Sequence, residues 1–230
     1  MSQPEKSPQE STISGENRVH RIIIRILLVL MTVEWVFLLL DQRRLALFLV
    51  TMIIATLLAP ILFKKKLDME IPAEFHLASV LFIFASLYLG EVQSFYQRLW
   101  WWDIALHTTA GLLMGILGFM LVYLLNESRM KLNMTPGFIA LFAFAFAVTI
   151  GTVWEIFEFG MDQFFGLNMQ KPMLGDPSGL TDTMWDIMVN AAGALIVSVI
   201  GWRYLKRKRT FFVKKWIRSF TQRNSRLFRN

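Results

Sequence analysis

Six long apolar segments, separated by short polar stretches, constrain this 230-residue chain more than any other feature of its sequence. Each segment holds about 20 residues, enough for an α-helix to cross the roughly 30 Å hydrocarbon layer of a bilayer. Separate spans must be helical, because an open strand would leave its backbone polar groups unpaired in lipid. The sequence therefore predicts an all-α, polytopic membrane helix bundle with six transmembrane helices, at about residues 22–40, 45–63, 76–95, 102–125, 136–160 and 183–205.

Composition agrees with this class and excludes several kinds of chemistry. The chain is 55% hydrophobic, above the roughly 45–50% that is usual for soluble domains. It contains no cysteine, which excludes disulfides, thiolate nucleophiles, iron–sulfur clusters and cysteine-ligated zinc. We find no HExxH, GxSxG, GxGxxG or Walker A motif.

The distribution of Lys and Arg predicts that both termini are cytoplasmic. In that orientation 20 of the 24 basic residues fall on the inner side and 4 on the outer side, which is the bias of the positive-inside rule. Residues 1–21 are polar and predict a disordered cytoplasmic tail. The six-helix domain then covers residues 22–205.

The last segment, residues 206–230, predicts a basic amphipathic tail on the cytoplasmic side. Residues 203–230 hold 11 Lys and Arg and no acidic residue. Apolar Phe212, Trp216 and Phe220 recur every four residues and make one helix face. Such a segment is expected to lie on an anionic inner leaflet, so membrane lipids are its expected partners. Nucleic-acid binding is not expected, since the tail begins at the membrane surface, and the sequence identifies no protein partner.

Acidic residues are distributed in the opposite sense to the basic ones. Ten of the 17 fall on the outer side or in the outer half of a span. Charged groups at membrane depth are costly, so a cluster of them indicates a functional site. The core of this cluster lies at the outer ends of spans four, five and six and comprises Asp103, His107, Glu155, Glu158, Asp182 and Asp186.

Spacing places the polar residues of spans four and six on single helix faces. Asp103 and His107 are four residues apart, as are Asp182 and Asp186, and Asn190 follows four residues later. The acids of both spans also fit a structural role, because a carboxylate in the first turn complements the helix dipole. A capping box formed by Thr183 and Asp186 is one such alternative.

The glutamates of span five are harder to explain structurally. Glu155 and Glu158 lie in the last membrane turns of their predicted helix, where the dipole disfavours negative charge. Neighbouring residues 156, 157 and 159 are apolar. We therefore expect a functional role for both glutamates.

Further features concern helix approach and the outer loop. Gly111, Gly115 and Gly118 follow His107 in span four and would let another helix approach closely. Thr135-Pro136 predicts the start of the fifth helix and Gly166 its end. The loop of residues 160–182 is long for a membrane hairpin and predicts a lid over the outer cleft. Asp162 and Asp176 within it are interpreted as solvated loop acids.

Several carboxylates that converge in a low-dielectric setting cannot all stay charged unaided. Either some take up protons or a cation neutralises them. One imidazole with several carboxylates suits a divalent cation such as Zn²⁺, Mn²⁺ or Mg²⁺. All six core residues are therefore candidate metal ligands, and His107 and Glu158 are also candidates for proton transfer in catalysis.

The site residues occur in motifs with a recognisable order. They are Asp103-x-x-x-His107, Trp154-Glu-x-x-Glu158, and Asp182-Thr-x-Trp-Asp186 with a following Gly193-Ala. In this order, over about residues 75–205, the chain resembles the YjdF type of predicted bacterial inner-membrane proteins. The pattern Asp186-x-x-x-Asn190-x-x-Gly193 is distantly similar to VanZ-like membrane proteins of the cell envelope. The resemblance implies a multi-pass protein of a prokaryotic plasma membrane and assigns no activity.

Three functions fit these residues. The first is a metal-dependent envelope enzyme that acts on a lipid head group or a lipid-linked wall precursor, with metal-activated water. The second is a non-catalytic scaffold or partner subunit with structural Ca²⁺. The third is a cation or proton-coupled transporter, which needs polar residues that continue toward the inner face. Span four instead turns to Gly, Leu and Met, and span five to Phe and Ala.

Overall fold

A computed structural model describes residues 8–67, 73–127 and 134–207 of the chain. These residues are helical apart from their connecting loops and one isolated bridge between Met173 and Asp176, so the predicted all-α class is confirmed. The helices are α1 (Pro8–Leu40), α2 (Arg44–Leu67), α3 (Ala73–Ile83), α4 (Phe95–Arg98), α5 (Trp102–Glu127), α6 (Pro136–Phe165) and α7 (Leu180–Lys206), and a π-helical segment, Phe84–Val92, continues α3.

Within the described part of the chain, four helices are long and apolar enough to cross a membrane. They correspond to the first, fourth, fifth and sixth predicted spans. Two shorter apolar stretches, Ala46–Ala59 and His76–Val92, coincide with the second and third. Whether these two also cross, and on which side the termini lie, stays a prediction. The four stretches that are long and apolar enough to cross a membrane are Arg21–Leu40, Trp102–Val122, Pro136–Phe165 and Leu180–Lys206.

The predicted tails lie largely outside the described part of the chain. Helix α1 begins at Pro8, so helix extends into the segment for which low hydrophobicity predicts a disordered tail. Residues 1–7 are not described, and the tail stays a prediction there. Nearly all of the basic amphipathic segment, residues 208–230, also lies outside the described residues.

The boundaries of α6 follow the predicted signals. Thr135 is extended, and its hydroxyl accepts a hydrogen bond from the Phe138 N–H at 3.3 Å. Pro136 occupies the first helical position, where a missing N–H costs nothing. Gly166 adopts a left-handed φ of 64° and its N–H donates to the Asp162 carbonyl at 3.1 Å. Helix α6 therefore extends five residues past the end of the predicted span.

The chain divides into two compact units. In the first, which ends at Phe95, α1, α2 and α3 with its π-helical continuation share one apolar core. Its most deeply buried side chains include Met31, Val50, Ile53 and Val80. An indole–hydroxyl hydrogen bond of 3.0 Å also joins Trp35 of α1 to Thr51 of α2.

The second unit begins at Tyr96, and α5, α6 and α7 all pack against one another in it. Helix α5 meets α7 at glycines: a Cβ on Gly111 would collide with the Asn190 carbonyl, and one on Gly193 with the Thr108 carbonyl. Gly115 also faces α7, whereas Gly118 faces Ala143 of α6. The predicted close helix approach is therefore confirmed.

An apolar cluster fills the end of this unit where α6 begins and α5 and α7 run toward their C-termini. It is formed by buried side chains from all three helices, namely Ile116, Phe119, Met120, Val122, Ile139, Ala140, Ala143 and Val197. The opposite end, where α5 and α7 begin and α6 nears its end, carries the polar residues. We call it the acidic end.

Candidate metal centre

His107 lies at the centre of the acidic end, with carboxylates from three helices around its ring. Its Nε2 is 3.3 Å from Asp103 Oδ1 on α5 and 3.8 Å from Asp186 Oδ2 on α7. Its Nδ1 is 3.6 Å from Glu155 Oε1 on α6. The pairing of Asp103 with His107 follows from their four-residue spacing, whereas the other two contacts arise only from the packing of the helices.

Two of these carboxylates are deeply buried. Glu155 is 3% exposed and Asp186 is 1% exposed. None of their four carboxylate oxygens accepts a hydrogen bond from a residue that the structure describes. The Thr183 hydroxyl approaches Glu155, but outside hydrogen-bonding geometry. Since a buried polar group without a partner costs several kcal/mol in an apolar setting, both groups require a cation or protons.

Three residues of the acidic end have the arrangement of a metal-binding group. One ligand atom each from Asp103, His107 and Asp186 lies within 4.8 Å of the others. A tetrahedral ion bound at about 2.1 Å holds its ligand atoms about 3.4 Å apart, close to the 3.3 and 3.8 Å measured from Nε2. Two of the three separations therefore suit one tetrahedral ion, and the third, between the ligand atoms of the two aspartates, is within 4.8 Å.

Asp182 has a different environment from Asp186, although both lie on one face of α7. It is buried, and its Oδ2 accepts a hydrogen bond from the backbone N–H of Lys171 at 2.7 Å. One residue further along, the Thr183 hydroxyl accepts a hydrogen bond from the Gln170 side-chain amide at 2.7 Å. Asp182 therefore attaches the outer loop to α7.

The alternative of a capping box at Thr183 and Asp186 is wrong. Helix α7 begins at Leu180, three residues before the start of the predicted span, with Gly179 as its N-cap. Thr183 and Asp186 are therefore interior helical residues. A capping role no longer explains the burial of Asp186 among other carboxylates.

The two glutamates of α6 are not equivalent. Glu155 faces the other two helices, whereas Glu158 is partly exposed and its Oε1 accepts a hydrogen bond of 2.9 Å from the indole N–H of Trp154. Trp154 and Phe157, the rings beside Glu158, are both exposed. Among the predicted ligands, Glu158 is thus held at the rim of the acidic end.

The dipole argument for both glutamates needs correction. Because α6 continues to Phe165, Glu155 lies ten residues before its end and Glu158 lies seven before it. The dipole acts mainly within the last turn, so its penalty on these carboxylates is smaller than the predicted span suggests. For Glu155, burial without a hydrogen-bond donor is the stronger argument for function.

Side-chain carboxylates organise the loop between α6 and α7. Asp162 accepts hydrogen bonds from the backbone N–H groups of Met169 (2.7 Å) and Gln170 (2.9 Å). Asp176 accepts from the N–H and hydroxyl of both Ser178 and Thr181. These hydrogen bonds hold the pKa of Asp176 well below its usual range, and the bonds from Ser178 contribute most. Both acids therefore stabilise the loop in addition to their expected contact with solvent, and Asp162 belongs to the last turn of α6.

Sequence reasoning missed two features of the acidic end. One is Lys171, whose backbone holds Asp182; no local pattern signals such a contact. The other is Gly151, which with Asn190 forms the floor beneath the carboxylates: a Cβ on Gly151 would collide with the side-chain amide of Asn190, which is 2% exposed. The spacing had already placed Asn190 on the face of Asp182 and Asp186, and Gly151, four residues before Glu155, carried the same signal on α6.

Comparison with known proteins identifies the family but not the activity. A family model described as "Predicted membrane protein (DUF2238)" matches residues 23–207, and the chain belongs to this family. A protein of Thermotoga maritima, named only as an uncharacterized protein, is 28% identical over 155 residues. The aligned region covers 67% of this chain and 74% of that relative. No solved structure matches the chain.

Proposed function

We propose that this multi-pass membrane protein binds a divalent cation at the acidic end of α5, α6 and α7 and uses it in catalysis. The observation that carries the proposal is the burial of Glu155 and Asp186 beside His107, with no hydrogen-bond donor for their carboxylate oxygens. A bound cation would supply the missing positive charge.

The donor set favours Zn²⁺ or Mn²⁺ over Mg²⁺ and Ca²⁺. Imidazole is a common ligand of the first two, whereas Mg²⁺ and Ca²⁺ prefer oxygen ligands throughout. The separations around Nε2 of His107 suit the tetrahedral geometry of Zn²⁺. This preference for an imidazole-binding ion also counts against a scaffold that holds structural Ca²⁺.

A metal with three protein ligands keeps a position for water, which is the arrangement of catalytic rather than structural zinc sites. The bound water loses a proton more readily than bulk water. Glu158 lies at the rim, where its Oε1 accepts a hydrogen bond from the Trp154 indole, and it would take up that proton as general base and return it to the leaving group. One water molecule would then be consumed for each bond hydrolysed.

The surroundings of Glu158 favour a substrate that arrives from the membrane. Trp154, Phe157 and Phe159 are exposed on the same part of α6, where lipid is expected in the membrane. We assign the substrate to lipids or lipid-linked molecules with a hydrolysable head group. In the proposed topology six helices cross a prokaryotic plasma membrane, the acidic end faces outward, and residues 206–230 lie on the anionic inner leaflet.

A transporter is the weaker candidate. Ion passage needs polar groups along the whole path, yet the opposite end of the three-helix unit is filled by the apolar cluster around Phe119, Met120 and Ala143. A charged group in such surroundings is costly. Proton flux measured in liposomes that contain the purified protein separates the two functions: pH-driven flux would contradict the enzyme.

Metal content tests the proposal directly. The detergent-solubilised full chain, purified without a metal-binding tag, is expected to carry one Zn²⁺ or Mn²⁺ per molecule. Asp103→Asn and Asp186→Asn are expected to lose it. Asp41→Asn is a matched control, because Asp41 is an exposed acid outside the acidic end. A native protein without stoichiometric metal after gentle purification would contradict the metal site.

Orientation and catalysis need separate tests. A reporter fused after Asn230 is expected to be cytoplasmic, and an extracytoplasmic reporter would overturn the topology. In proteoliposomes with labelled phospholipids and polyprenyl-linked sugars, we expect metal-dependent release of a head group that Glu158→Gln strongly slows. If no substrate of this class is cleaved by metal-loaded protein, the enzyme proposal is wrong.

A further inference from the structure

We infer that Glu155 is not a metal ligand but a positioning residue, which accepts a hydrogen bond from Nδ1 of His107 and so presents Nε2 to the cation. This inference rests on the proposed function and narrows its ligand set to Asp103, His107 and Asp186. Glu155 and Asp186 are both buried, but the inference makes Asp186 a metal ligand and Glu155 a residue that orients His107.

The geometry of the imidazole ring separates the carboxylates into two groups. Asp103 and Asp186 both face Nε2, at 3.3 and 3.8 Å, whereas Glu155 faces Nδ1, at 3.6 Å. The two nitrogens direct their lone pairs or protons away from each other. A cation bound to Nε2 together with the two aspartates therefore lies on the far side of the ring from Glu155 Oε1.

The number of oxygens at each nitrogen decides which one binds the metal. Two carboxylates from different helices converge at Nε2 and complete a three-residue group. Among the described residues, one carboxylate, that of Glu155, faces Nδ1. A metal at Nδ1 would have two protein ligands, whereas a metal at Nε2 has three and keeps one position for water.

A neutral imidazole carries one N–H, and the hydrogen bond made by that N–H fixes which nitrogen is free to bind metal. Glu155 Oε1 is 3.6 Å from Nδ1, so a relative movement of about 0.7 Å gives an ordinary N–H···O distance near 2.9 Å. Such a carboxylate also makes the imidazole a stronger electron donor.

Burial favours a hydrogen bond between the Glu155 carboxylate and His107. The Glu155 side chain is 3% exposed, so water does not compete for its oxygens. The charged or polar groups that interact with it electrostatically are His107, Thr183, Asp103, Asp182, Asp186 and Glu158. Of these, the carboxylates have no proton to donate when ionised, and the Thr183 hydroxyl lies outside hydrogen-bonding geometry. His107 is therefore the strongest donor available to Glu155.

The ligand and positioning roles predict different losses of affinity. Affinity for Zn²⁺ and for the spectroscopic probe Co²⁺ is measured on the full chain in detergent. Loss of a hydrogen-bond partner of a ligand typically weakens affinity about 10–100-fold. We expect Glu155→Ala to fall in this range, Glu155→Gln to retain more affinity because its amide oxygen still accepts, and Asp186→Asn to lose stoichiometric binding.

The spectrum of bound Co²⁺ gives a readout that a merely structural role would not change in this way. If Glu155 is outside the coordination sphere, Glu155→Gln keeps the coordination number and ligand field of native protein. A changed ligand field, or metal loss equal to that of Asp186→Asn, would show that Glu155 is a ligand and would overturn the inference. Each variant is compared only if its thermal unfolding and elution volume match native protein.

The same experiment distinguishes this inference from the function on which it rests. If native protein binds neither Zn²⁺ nor Co²⁺, the metal site itself is wrong. If native protein binds metal and Glu155→Gln does not, only the assigned role of Glu155 is wrong. A third variant, Glu155→Asp, keeps the charge but shortens the side chain. We expect its affinity to fall between those of the Gln and Ala variants.

Discussion

Both compact units of the chain are helical, but their buried histidines have different partners. In the first unit His76 is buried at 5% exposure, and its Nε2 lies 3.4 Å from the Thr56 carbonyl on a neighbouring helix. In the second, His107 is surrounded by three carboxylates, of which two have no hydrogen-bond donor among the described residues.

This difference separates a histidine with an ordinary structural partner from the histidine of the candidate metal centre. A buried imidazole next to a backbone carbonyl satisfies the ordinary requirement that buried polar groups find partners. A buried imidazole beside acids that lack partners leaves that requirement unmet. Stability alone does not favour the second arrangement, so it indicates that a cation or bound protons neutralise these acids.

The largest expected effect is the loss of bound metal when one of the two histidines is replaced. His107→Ala is expected to abolish stoichiometric metal binding, because it removes a ligand. His76→Ala is expected to keep the metal and to lower the free energy of unfolding by about 1 kcal/mol through a lost hydrogen bond. Metal analysis and thermal unfolding of both variants check this. Equal loss of metal from both would mean that His107 has no special role.

The second effect concerns the floor of the candidate metal centre. Gly151→Leu is expected to displace Asn190, because even a Cβ at this position collides with its side-chain amide. Overpacking of this kind costs about 1–3 kcal/mol, and we expect weaker metal binding as well. Gly137→Ala is the matched control on the same helix, since a Cβ there meets no atom within 4 Å. Native metal affinity in Gly151→Leu would show that the floor does not position the ligands.

A smaller effect sharpens the distinction between the two aspartates of α7. Asp182→Asn is expected to loosen the outer loop, because a neutral amide oxygen holds the Lys171 N–H less strongly than a carboxylate. Hydrogen exchange at Lys171 is expected to accelerate about tenfold, the equivalent of 1.4 kcal/mol, while metal content is unchanged. Loss of the metal with unaltered exchange would instead make Asp182 a ligand.

The smallest effect is the pH dependence of the turn at Asp176. Hydrogen bonds from Ser178 and Thr181 lower the pKa of this exposed carboxyl, so they stabilise its ionised form. That contribution is complete above the ordinary Asp pKa of about 3.9 and is lost as pH falls toward the lower folded value. Amide exchange at Ser178 and Thr181, compared with intrinsic rates, is therefore expected to show constant protection from pH 5 to 8. Protection that falls within this range would contradict the assigned bonds.

Local patterns predicted much of the fold and of the site. Hydropathy located the helices, and Thr135, Pro136 and Gly166 marked both ends of α6. Four-residue spacing paired Asp103 with His107. These features depend on residues close together in sequence, where helix geometry fixes the relation between side chains.

The remaining features depend on tertiary packing, which spacing alone does not reveal. Glu155 and Glu158 share a helix face within 60°, yet one is buried beside His107 and the other meets Trp154 at the rim. The hydrogen bond from Lys171 to Asp182 crosses an irregular loop. The start of α7 at Leu180 was also misplaced, because its N-cap is a glycine rather than a Ser, Thr, Asp or Asn side chain.

X-ray absorption at the zinc edge of native, untagged protein tests the central claim most directly. The account predicts one bound ion with a single imidazole nitrogen and carboxylate or water oxygens at about 2.0–2.2 Å, without sulfur. His107→Ala is expected to remove this signal, and His76→Ala to leave it intact. A spectrum with no bound zinc or manganese, or with two or more imidazole ligands, would contradict a metal centre built on His107, Asp103 and Asp186.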